Sequence, residues 1–499
     1  MWIRKCDLDA ASDLRSPIPT SIVSNEEFIP PPQSNELKAV EQKLTAITER
    51  NSRRLGVDRR SFLSSSCGMA AALVAFNEVF GPYYQVQAEE TEDAQAFEEK
   101  WPKDQFVFDI QTHHVDISAN WYKTPDGVKV ANFLRLIRGK EGPDDPLTHL
   151  NRVHYVKELF GDSDTVMAVI SGVPTRDWDK NPLPPDQMVA TRKYVNDIAS
   201  SRRVLSHGLL RPNLGEKEFA EMERQVKELK IDAWKMYTGA EIGEKAWFLD
   251  DEKVAYPFWE RTKKLGIKNL CVHKGLPLGA FNEKACTPND LEKAAKDWPD
   301  LNFIVYHSGY RGPGLFAYGT GERVPARPNP DEQEIPWISE IFRILKKSPG
   351  IKNIYFELGS TFAQLSANSP NKCCHMLGQM IQTAGADHIL WGTDSIWNGS
   401  PQSQIVRLRK LVMPDRLREK FNYPELTDAI KDQILGLNAA KLFGIDVKAA
   451  RTAIKADKLT RYKEEYRRDP SPSNTQYGWV WVGTEEPSVP VGTSETSKN

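Results

Sequence analysis

Between Gln105 and Gly392 the chain repeats one pattern eight times: a short apolar run rich in β-branched or aromatic residues, then a longer charged segment of helical period. Alternation of this kind gives parallel strands joined by helices, and eight such units close into an α/β barrel, the (β/α)8 or TIM fold. The runs predict strands at Phe106 to Gln111, Val166 to Ile170, Val204 to Leu209, Ala233 to Tyr237, Asn269 to His273, Phe303 to His307, Ile354 to Glu357 and Ile389 to Gly392. Helices are expected near Pro146 to Phe160, Asp186 to Arg202, Lys217 to Leu229, Lys253 to Leu265, Pro288 to Asp297, Ile335 to Lys346, Asn371 to Thr383 and Pro401 to Val412. Thr287-Pro288 and Ser400-Pro401 each place a capping residue before a proline suited to a first helical turn.

Polar residues recur in these runs or at their ends: Gln111 and His113, Lys235, His273, His307 and Asp394. Barrel enzymes keep their active sites at the C-terminal ends of the strands. Imidazoles, a carboxylate and a lysine converging there have the chemistry of a divalent-metal site. His149, His154, His207, His375 and His388 fall in predicted helices, inside a strand or at strand starts, and read as solvated or structural histidines. Asp109 is expected to be buried near the end of the first strand, in a role the sequence leaves open between structural and catalytic.

A barrel of this type takes about 250 residues or more with insertions, so 499 residues fit one barrel with long ends. We divide the chain into a polar extension (1–58), a signal-like segment (59–88), the barrel (101–447) and a charged helix with tail (448–499). With 40% hydrophobic and 27% charged residues the composition is that of a soluble protein with a sizeable core. Acidic and basic residues nearly cancel, at 68 against 66, so there is no electrostatic footprint for nucleic acid.

The extension carries Pro30, Pro31 and Pro32 and one helix-compatible stretch from Asn35 to Arg54. Asp58-Arg59-Arg60-Ser61-Phe62-Leu63, followed by the apolar stretch Cys67 to Phe80, resembles a twin-arginine export signal, with Val86-Gln87-Ala88 as a small-residue cleavage site. The alternative is an amphipathic helix with a basic start, since Asn77 and Glu78 interrupt the apolar run. Export of a folded chain to a bacterial periplasm is the expectation, without a permanent membrane span. Of six cysteines, Cys6 and Cys67 lie in or before this segment, leaving Cys271, Cys286, Cys373 and Cys374, and no C-x-x-C spacing suggests a zinc knot. Ser308 to Ile335 is a long loop rich in Gly, Pro and Arg, the kind that forms lids or binding loops or else is disordered. Asp428 to Phe443 and Lys448 to Arg468 read as further helices, and Trp479-Val480-Trp481-Val482 as an apolar patch packed on the body or on a neighbouring subunit.

Asp109-Ile110-Gln111-Thr112-His113, His273, His307-Ser308-Gly309, Gly392-Thr393-Asp394-Ser395 and the closing Ile434-Leu435-Gly436-Leu437-Asn438-Ala439-Ala440-Lys441-Leu442-Phe443, in this order, resemble the amidohydrolase superfamily. The likeness runs from about Phe106 to Ile445 and is closest to the amidohydrolase-related branch that includes aminocarboxymuconate-semialdehyde and γ-resorcylate decarboxylases. It implies a divalent metal, zinc or manganese, held by His113, His273 and Asp394, with His307 beside it to polarise the substrate. Asp394 would double as proton shuttle. The family usually has histidine where this chain has Gln111, a poorer zinc ligand. Either Gln111 holds the metal more weakly, or it faces the substrate and His114 or water completes the shell. In two-metal branches a strand-four lysine is carboxylated and bridges the ions, and Ala233-Trp234-Lys235-Met236-Tyr237 resembles that strand. The other reading is a free Lys235 that pairs with an acid, such as Glu357, or binds a substrate carboxylate. Arg311 is placed to reach a substrate anion, with an exposed loop arginine as the commoner reading, and Trp391 and Trp397 to wall an aromatic pocket, core packing explaining Trp391 equally well. Members of the branch are often oligomers, which implies a homo-oligomer here.

These residues support three functions. The first is a metal-dependent hydrolase in which activated water attacks a C–N or C–O bond of a small organic substrate, His307 stabilising the oxyanion. The second is a non-oxidative decarboxylase, in which the metal and Lys235 or Arg311 bind a carboxylated aromatic or enoic acid. The third is a barrel scaffold without metal, for which Gln111 is the one positive sign.

Overall fold

The computed structural model describes residues 2–12, 14–21, 32–99, 105–138, 145–174, 178, 181–239, 245–277, 281–312, 331–397, 399–472 and 479–482. Most of the long loop expected between 308 and 335 lies outside them. Eight parallel strands form the central sheet in sequence order: β1 (Phe108–Thr112), β2 (Met167–Ile170), β3 (Val204–Leu209), β4 (Ala233–Tyr237), β5 (Asn269–His273), β6 (Asn302–Tyr306), β7 (Ile354–Glu357) and β8 (Ile389–Leu390). The sheet closes on itself through Ile110 N–H to the Trp391 carbonyl (3.0 Å), Asp394 N–H to the Gln111 carbonyl (2.9 Å) and a parallel bridge between Thr112 and Ser395. The expected α/β barrel is therefore the fold.

Strand residues alternate between two cores, as the period of two requires. Trp234, Met236, Leu270, Val272, Phe303 and Val305 pack outward against the helices. Ala233, Cys271, Ile304 and Tyr306 point into the barrel. The same alternation turns Lys235 and His273 inward, and the register pairs Lys235 with Cys271 and Tyr237 with His273, so the histidine stands one layer above the lysine.

The helices match the expected frame in order but less closely in extent. Pro185–Ala199, Tyr256–Lys264, Ile338–Lys347, Pro370–Thr383 and Gln402–Lys410 lie within two or three residues of it. The helix expected over 146–160 is instead three short turns, at Pro146–Leu150, Arg152–Val156 and Lys157–Gly161. Asn151 breaks it: its backbone is extended and its side chain accepts from the Val153 and His154 amides, so it caps a new helix. The helices Pro125–Arg138 and Thr361–Asn368 were not expected.

Outside the barrel, helix Asn35–Leu55 is capped by Ser34 at its start and by Gly56, in the left-handed region, at its end. It packs against Ser66–Phe80, in which Ala70 through Leu73, Ala75 and Phe76 have no exposed surface and belong to the same core as the barrel helices. The segment expected to act as an export signal is thus folded onto the body here. Tyr83 and Tyr84 continue the contact: Gln85 N–H donates to the Lys410 carbonyl (2.7 Å) and Val412 N–H to the Tyr83 carbonyl (2.9 Å), while Lys410 pairs with buried Glu90. At the other end, the helix expected over 448–468 breaks at Asp457, whose carboxylate caps Lys458–Tyr466 and takes a buried two-pronged ion pair from Arg203. Trp479–Trp481 pairs antiparallel with Trp2–Arg4, which gives the apolar tail its partner within the chain. No helix of the described residues is long and apolar enough to cross a membrane.

Candidate metal and substrate site at the barrel mouth

The strand ends bring His113, His273, His307, Asp394, Gln111 and Lys235 to one end of the barrel, all buried except Asp394, whose side chain keeps 17% of its surface exposed. The backbone there is strained: His307 (φ 57°), Ser308 (52°), Ser360 (55°) and Asp394 (64°) all lie in the left-handed region that side chains other than glycine's disfavour. Such strain persists only where surrounding contacts enforce it, and it gathers at functional sites. Glu357 is one source of that enforcement. Its two oxygens accept the backbone N–H of Gly359 (2.5 Å) and of His307 (3.0 Å), fixing the turns after β6 and β7, and burial pushes its carboxyl up to about 8.

The imidazoles are oriented by backbone carbonyls. A carbonyl only accepts, so the ring nitrogen facing it must carry the proton, and the other nitrogen of a neutral ring is left as a lone pair. His113 Nδ1–H donates to the Ser171 carbonyl (2.8 Å), His307 Nδ1–H to that of Gly359 (2.9 Å) and His273 Nε2–H to that of Leu276 (3.2 Å). His307 Nε2 and His273 Nδ1 then meet as acceptors 3.2 Å apart, while His113 Nε2 lies 3.0 Å from Asp394 Oδ1, the spacing of a hydrogen bond. Burial holds both His273 and His307 below the ordinary imidazole range, His307 at about 4, so neither ring holds an extra proton that would resolve the clash.

Asp394 is held as a carboxylate. Burial pushes its pKa upward, but the bond with His113 and the Ser360 hydroxyl outweigh that and leave it well below the usual range. Its Oδ2 accepts from Ser360 Oγ (2.8 Å) and its Oδ1 from the Gln111 amide (2.9 Å). That bond leaves the Gln111 carbonyl oxygen buried without a donor. Asp109 has a positioning role: it accepts from the backbone N–H of Gln111 and from the backbone N–H and hydroxyl of Thr393, tying β1 to the segment that carries Asp394.

The arrangement fits a divalent ion in its donor chemistry. Ligands about 2.1 Å from a common ion stand about 3.0–3.4 Å from each other, and the His273–His307 and His113–Asp394 pairs have that spacing. The two pairs remain separate: among the described residues no three His, Cys, Asp or Glu side chains form a metal-holding group.

The other expected site residues are distributed more widely. His114 spends its ring nitrogens on Thr191 Oγ1 (2.8 Å) and the Val115 carbonyl (3.1 Å) and does not complete the shell. Arg311 donates to Glu283 Oε1 (2.8 Å), so its charge is met within the protein. Trp397 stacks on His113 with ring centroids 5.1 Å apart, whereas Trp391 is core, packed on Phe362. Lys235 Nζ is buried 3.8 Å above the Tyr306 ring without a hydrogen-bond partner. In this tautomer His307 Nε2 accepts, so the expected oxyanion role requires that it first be protonated. Sequence reasoning missed Ser360, which no motif marks, and the wall that Tyr237 and Phe281 build around His273, at 4.8 Å and 5.5 Å between centroids.

A TIM-barrel protein of Bordetella bronchiseptica is 16% identical, with a TM-score of 0.42 over 69% of this chain and 99% of its own. The 5-carboxyvanillate decarboxylase of Sphingomonas paucimobilis is 16% identical (TM-score 0.43; 68% of this chain, 99% of that one), and the 2,6-dihydroxybenzoate decarboxylase of Rhizobium 15% (0.37; 68% and 99%). No curated protein sequence matches the chain. The family model described as Amidohydrolase matches residues 109–445, from the first barrel strand to the end of the closing helix, and the chain belongs to that family.

Proposed function

We propose that the protein is a metal-dependent hydrolase that directs water at a C–N or C–O bond of a small organic substrate. The observation that carries this reading is the facing pair of imidazole lone pairs, 3.2 Å apart on His273 and His307, each locked in place by a proton committed to a carbonyl. Two such acceptors repel in a buried site unless a cation lies between or beside them. We assign His113, His273 and Asp394 as the residues that would hold a divalent ion, zinc or manganese, with the Gln111 carbonyl as an additional oxygen donor. When bound, the ion supplies Lewis acidity and brings the acidity of water to near neutral pH.

The chain's own groups do the rest. Asp394, kept ionised by Ser360 and Gln111, takes a proton at its carboxylate. His307 Nε2, an acceptor beside it, can receive that proton and return it to the leaving group. Tyr237, Phe281 and Trp397 offer apolar and aromatic surface to the body of the substrate. The decarboxylase reading uses the same residues and gains support from Lys235, whose buried Nζ has no hydrogen-bond acceptor. We further propose export by the twin-arginine route, on the strength of Arg59-Arg60-Ser61-Phe62-Leu63, and a homo-oligomeric state.

The deciding experiment is metal analysis of protein prepared without chelator, for the native chain and for His273→Ala. The expected result is bound zinc or manganese near one ion per chain that falls at least tenfold in the variant. Metal content unchanged by the substitution would refute the ligand set, and a native chain without metal would favour the scaffold. Lactones, amides and hydroxybenzoates then separate hydrolysis from loss of CO2.

A further inference from the structure

His273 is followed by a lysine with no exposed surface. The three N–H donors of the Lys274 ammonium all find acceptors: Asp290 Oδ2 (2.7 Å) and the carbonyls of Ala285 (2.7 Å) and Thr287 (3.1 Å). Asp290 is itself buried, and its Oδ2 also accepts from the Leu249 backbone N–H (2.8 Å), while among the described residues its Oδ1 has no donor. Exchanging a buried pair of this kind for apolar residues of similar volume is often neutral or even stabilising. Stability is therefore a weak reason for a lysine and an aspartate at these positions, and no N–H of Lys274 is left over for a substrate. What the pair supplies is position.

The Lys274 side chain gathers residues 285–290 against the turn that follows β5. The same segment is fixed to the end of β4: Thr238 Oγ1 donates to the Ala285 carbonyl (2.7 Å) and Asn282 N–H to the Gly239 carbonyl (3.1 Å). Beside it, Phe281 packs on both Tyr237 and His273, with centroids 5.2 Å and 5.5 Å away. The fit has no slack, since a Cβ at Gly239 would lie 2.7 Å from the Phe281 ring and from Cys286 Sγ. After Lys274 the backbone turns through Gly275 (φ 121°) and Leu276 (φ 39°), the second a conformation that a leucine keeps only where surrounding contacts enforce it. The Leu276 carbonyl is the acceptor of the His273 Nε2 proton (3.2 Å). Lys274 thus anchors the chain that delivers both groups orienting the His273 ring, the Leu276 carbonyl and the Phe281 side chain.

We propose that Lys274 and Asp290 are positioning residues for the metal site: their buried pair holds the turn after β5 so that His273 keeps its proton on the Leu276 carbonyl and its Nδ1 lone pair toward the ion. This deepens the site assigned above and rests on that assignment. The pair acts through Leu276 and Phe281, with no donor directed at substrate. Loss of a group that orients a ligating histidine costs 10–100-fold in metal affinity, and an indirect partner belongs at the lower end of that range, about tenfold.

The test uses the full-length protein and the double variant Lys274→Met/Asp290→Leu, which removes both charges and so leaves no unpaired ion behind. Zinc affinity is read by competition with a zinc-binding dye, and ligand geometry by the visible absorption of the cobalt(II)-loaded protein. The double variant should melt cooperatively, bind zinc about tenfold more weakly than the native chain and show an altered cobalt spectrum. Arg203→Met is the control: it breaks an equally buried pair with Asp457 just before β3, at the opposite end of the barrel. It should lower the thermal midpoint and leave zinc affinity and the cobalt spectrum as they were. Native affinity and spectrum in the double variant would overturn the proposal, as would an equal loss of affinity in Arg203→Met, which would trace the effect to general loosening. Lys274→Met alone is read in the same way, and failure of both Lys274 variants to melt cooperatively would show that the pair holds the fold rather than the ligand. These outcomes sink the positioning role alone, whereas a native protein that binds no zinc would sink the site assignment itself.

Discussion

At the scale of single residues, Gln111 and the glycines that face it control how the site is assembled. The Gln111 amide group gives its N–H to Asp394 and leaves its carbonyl oxygen unpaired. An imidazole there would be a stronger zinc ligand than an amide oxygen. We therefore expect Gln111→His to retain zinc against a chelator at least tenfold longer than the native protein, measured by competition with a zinc-binding dye; equal retention would show that position 111 does not reach the ion. Gly392 leaves room for Glu357: a Cβ at that position would lie 1.7 Å from Glu357 Oε1, and one at Gly359 would lie 2.2 Å from Gln111 Oε1. Gly392→Ala should thus displace the carboxylate that fixes the turns after β6 and β7. The expected cost is about 3 kcal/mol, at the upper end for overpacking, read from urea unfolding, with loss of bound metal. His113, His273, His307, Asp394, Gln111 and Lys235 were legible in the sequence because each ends or interrupts an apolar run. Ser360 and the partners of His114 and Arg311 were not, since hydrogen bonds among residues distant along the chain leave no periodic mark.

At the scale of elements, all eight strands could be read from the sequence within about two residues, because buried parallel strands are short continuous apolar runs bounded by polar segments. Helices on the barrel surface were less legible. Thr124-Pro125 carries the same start signal as Ser400-Pro401, and Thr124 Oγ1 does accept from the Gly127 amide, yet the polar stretch around it masked the helix Pro125–Arg138. The break at Asp457 was hidden for another reason, since its cause is the distant Arg203. The helix that follows, Lys458–Tyr466, is bound to the body by Asp164, whose carboxylate meets Arg409, Lys463 and Arg467 and the Gln402 amide. Burial alone would raise the Asp164 pKa, but Arg409 and Lys463 hold it well below the usual carboxylate range, and burial in turn pushes Lys463 down to about 8. A carboxyl depressed in the folded state stabilises above its unfolded value of about 3.9, and that contribution is lost as pH falls below about 4 toward the folded value. Asp164→Asn should cost about 3 kcal/mol at pH 7, as the loss of one partner from a largely buried ion pair does. The difference from the native protein should shrink as the pH of the unfolding measurement is lowered from 5 toward 3. A difference independent of pH would assign the loss to packing rather than charge.

At the scale of the whole molecule, the first hundred residues and the barrel share one core. Phe62, Phe76 and Tyr84 are buried, Phe76 stacks on Phe80 and meets Tyr84 edge on, and Tyr84 forms an antiparallel bridge with Leu411 and donates through its hydroxyl to the Ser366 carbonyl. Arg407, fully buried, donates to the Ser366 hydroxyl and the Ala363 carbonyl, so this contact reaches the helix Thr361–Asn368 that follows β7. That helix begins at Ser360 and Thr361, which bond Asp394 and the His307 carbonyl. The amino-terminal region is thereby linked to the proposed site through one continuous set of packed and hydrogen-bonded groups. The twin-arginine reading places a cleavage site after Ala88, and cutting there would remove Phe62, Phe76 and Tyr84 together, each worth about 1.5–3 kcal/mol of apolar burial. A domain of ordinary stability, about 5–15 kcal/mol, has little margin for such a loss. A chain beginning at residue 89 should therefore melt at a markedly lower temperature than the full chain, expose apolar surface to a hydrophobic dye and lose metal with the loosening of Ser360. Comparing melting curves and metal content of the two chains decides the matter: an unchanged midpoint in the shortened chain would mean that the barrel supports its own site and that the segment Ser66–Phe80 is dispensable for the folded barrel.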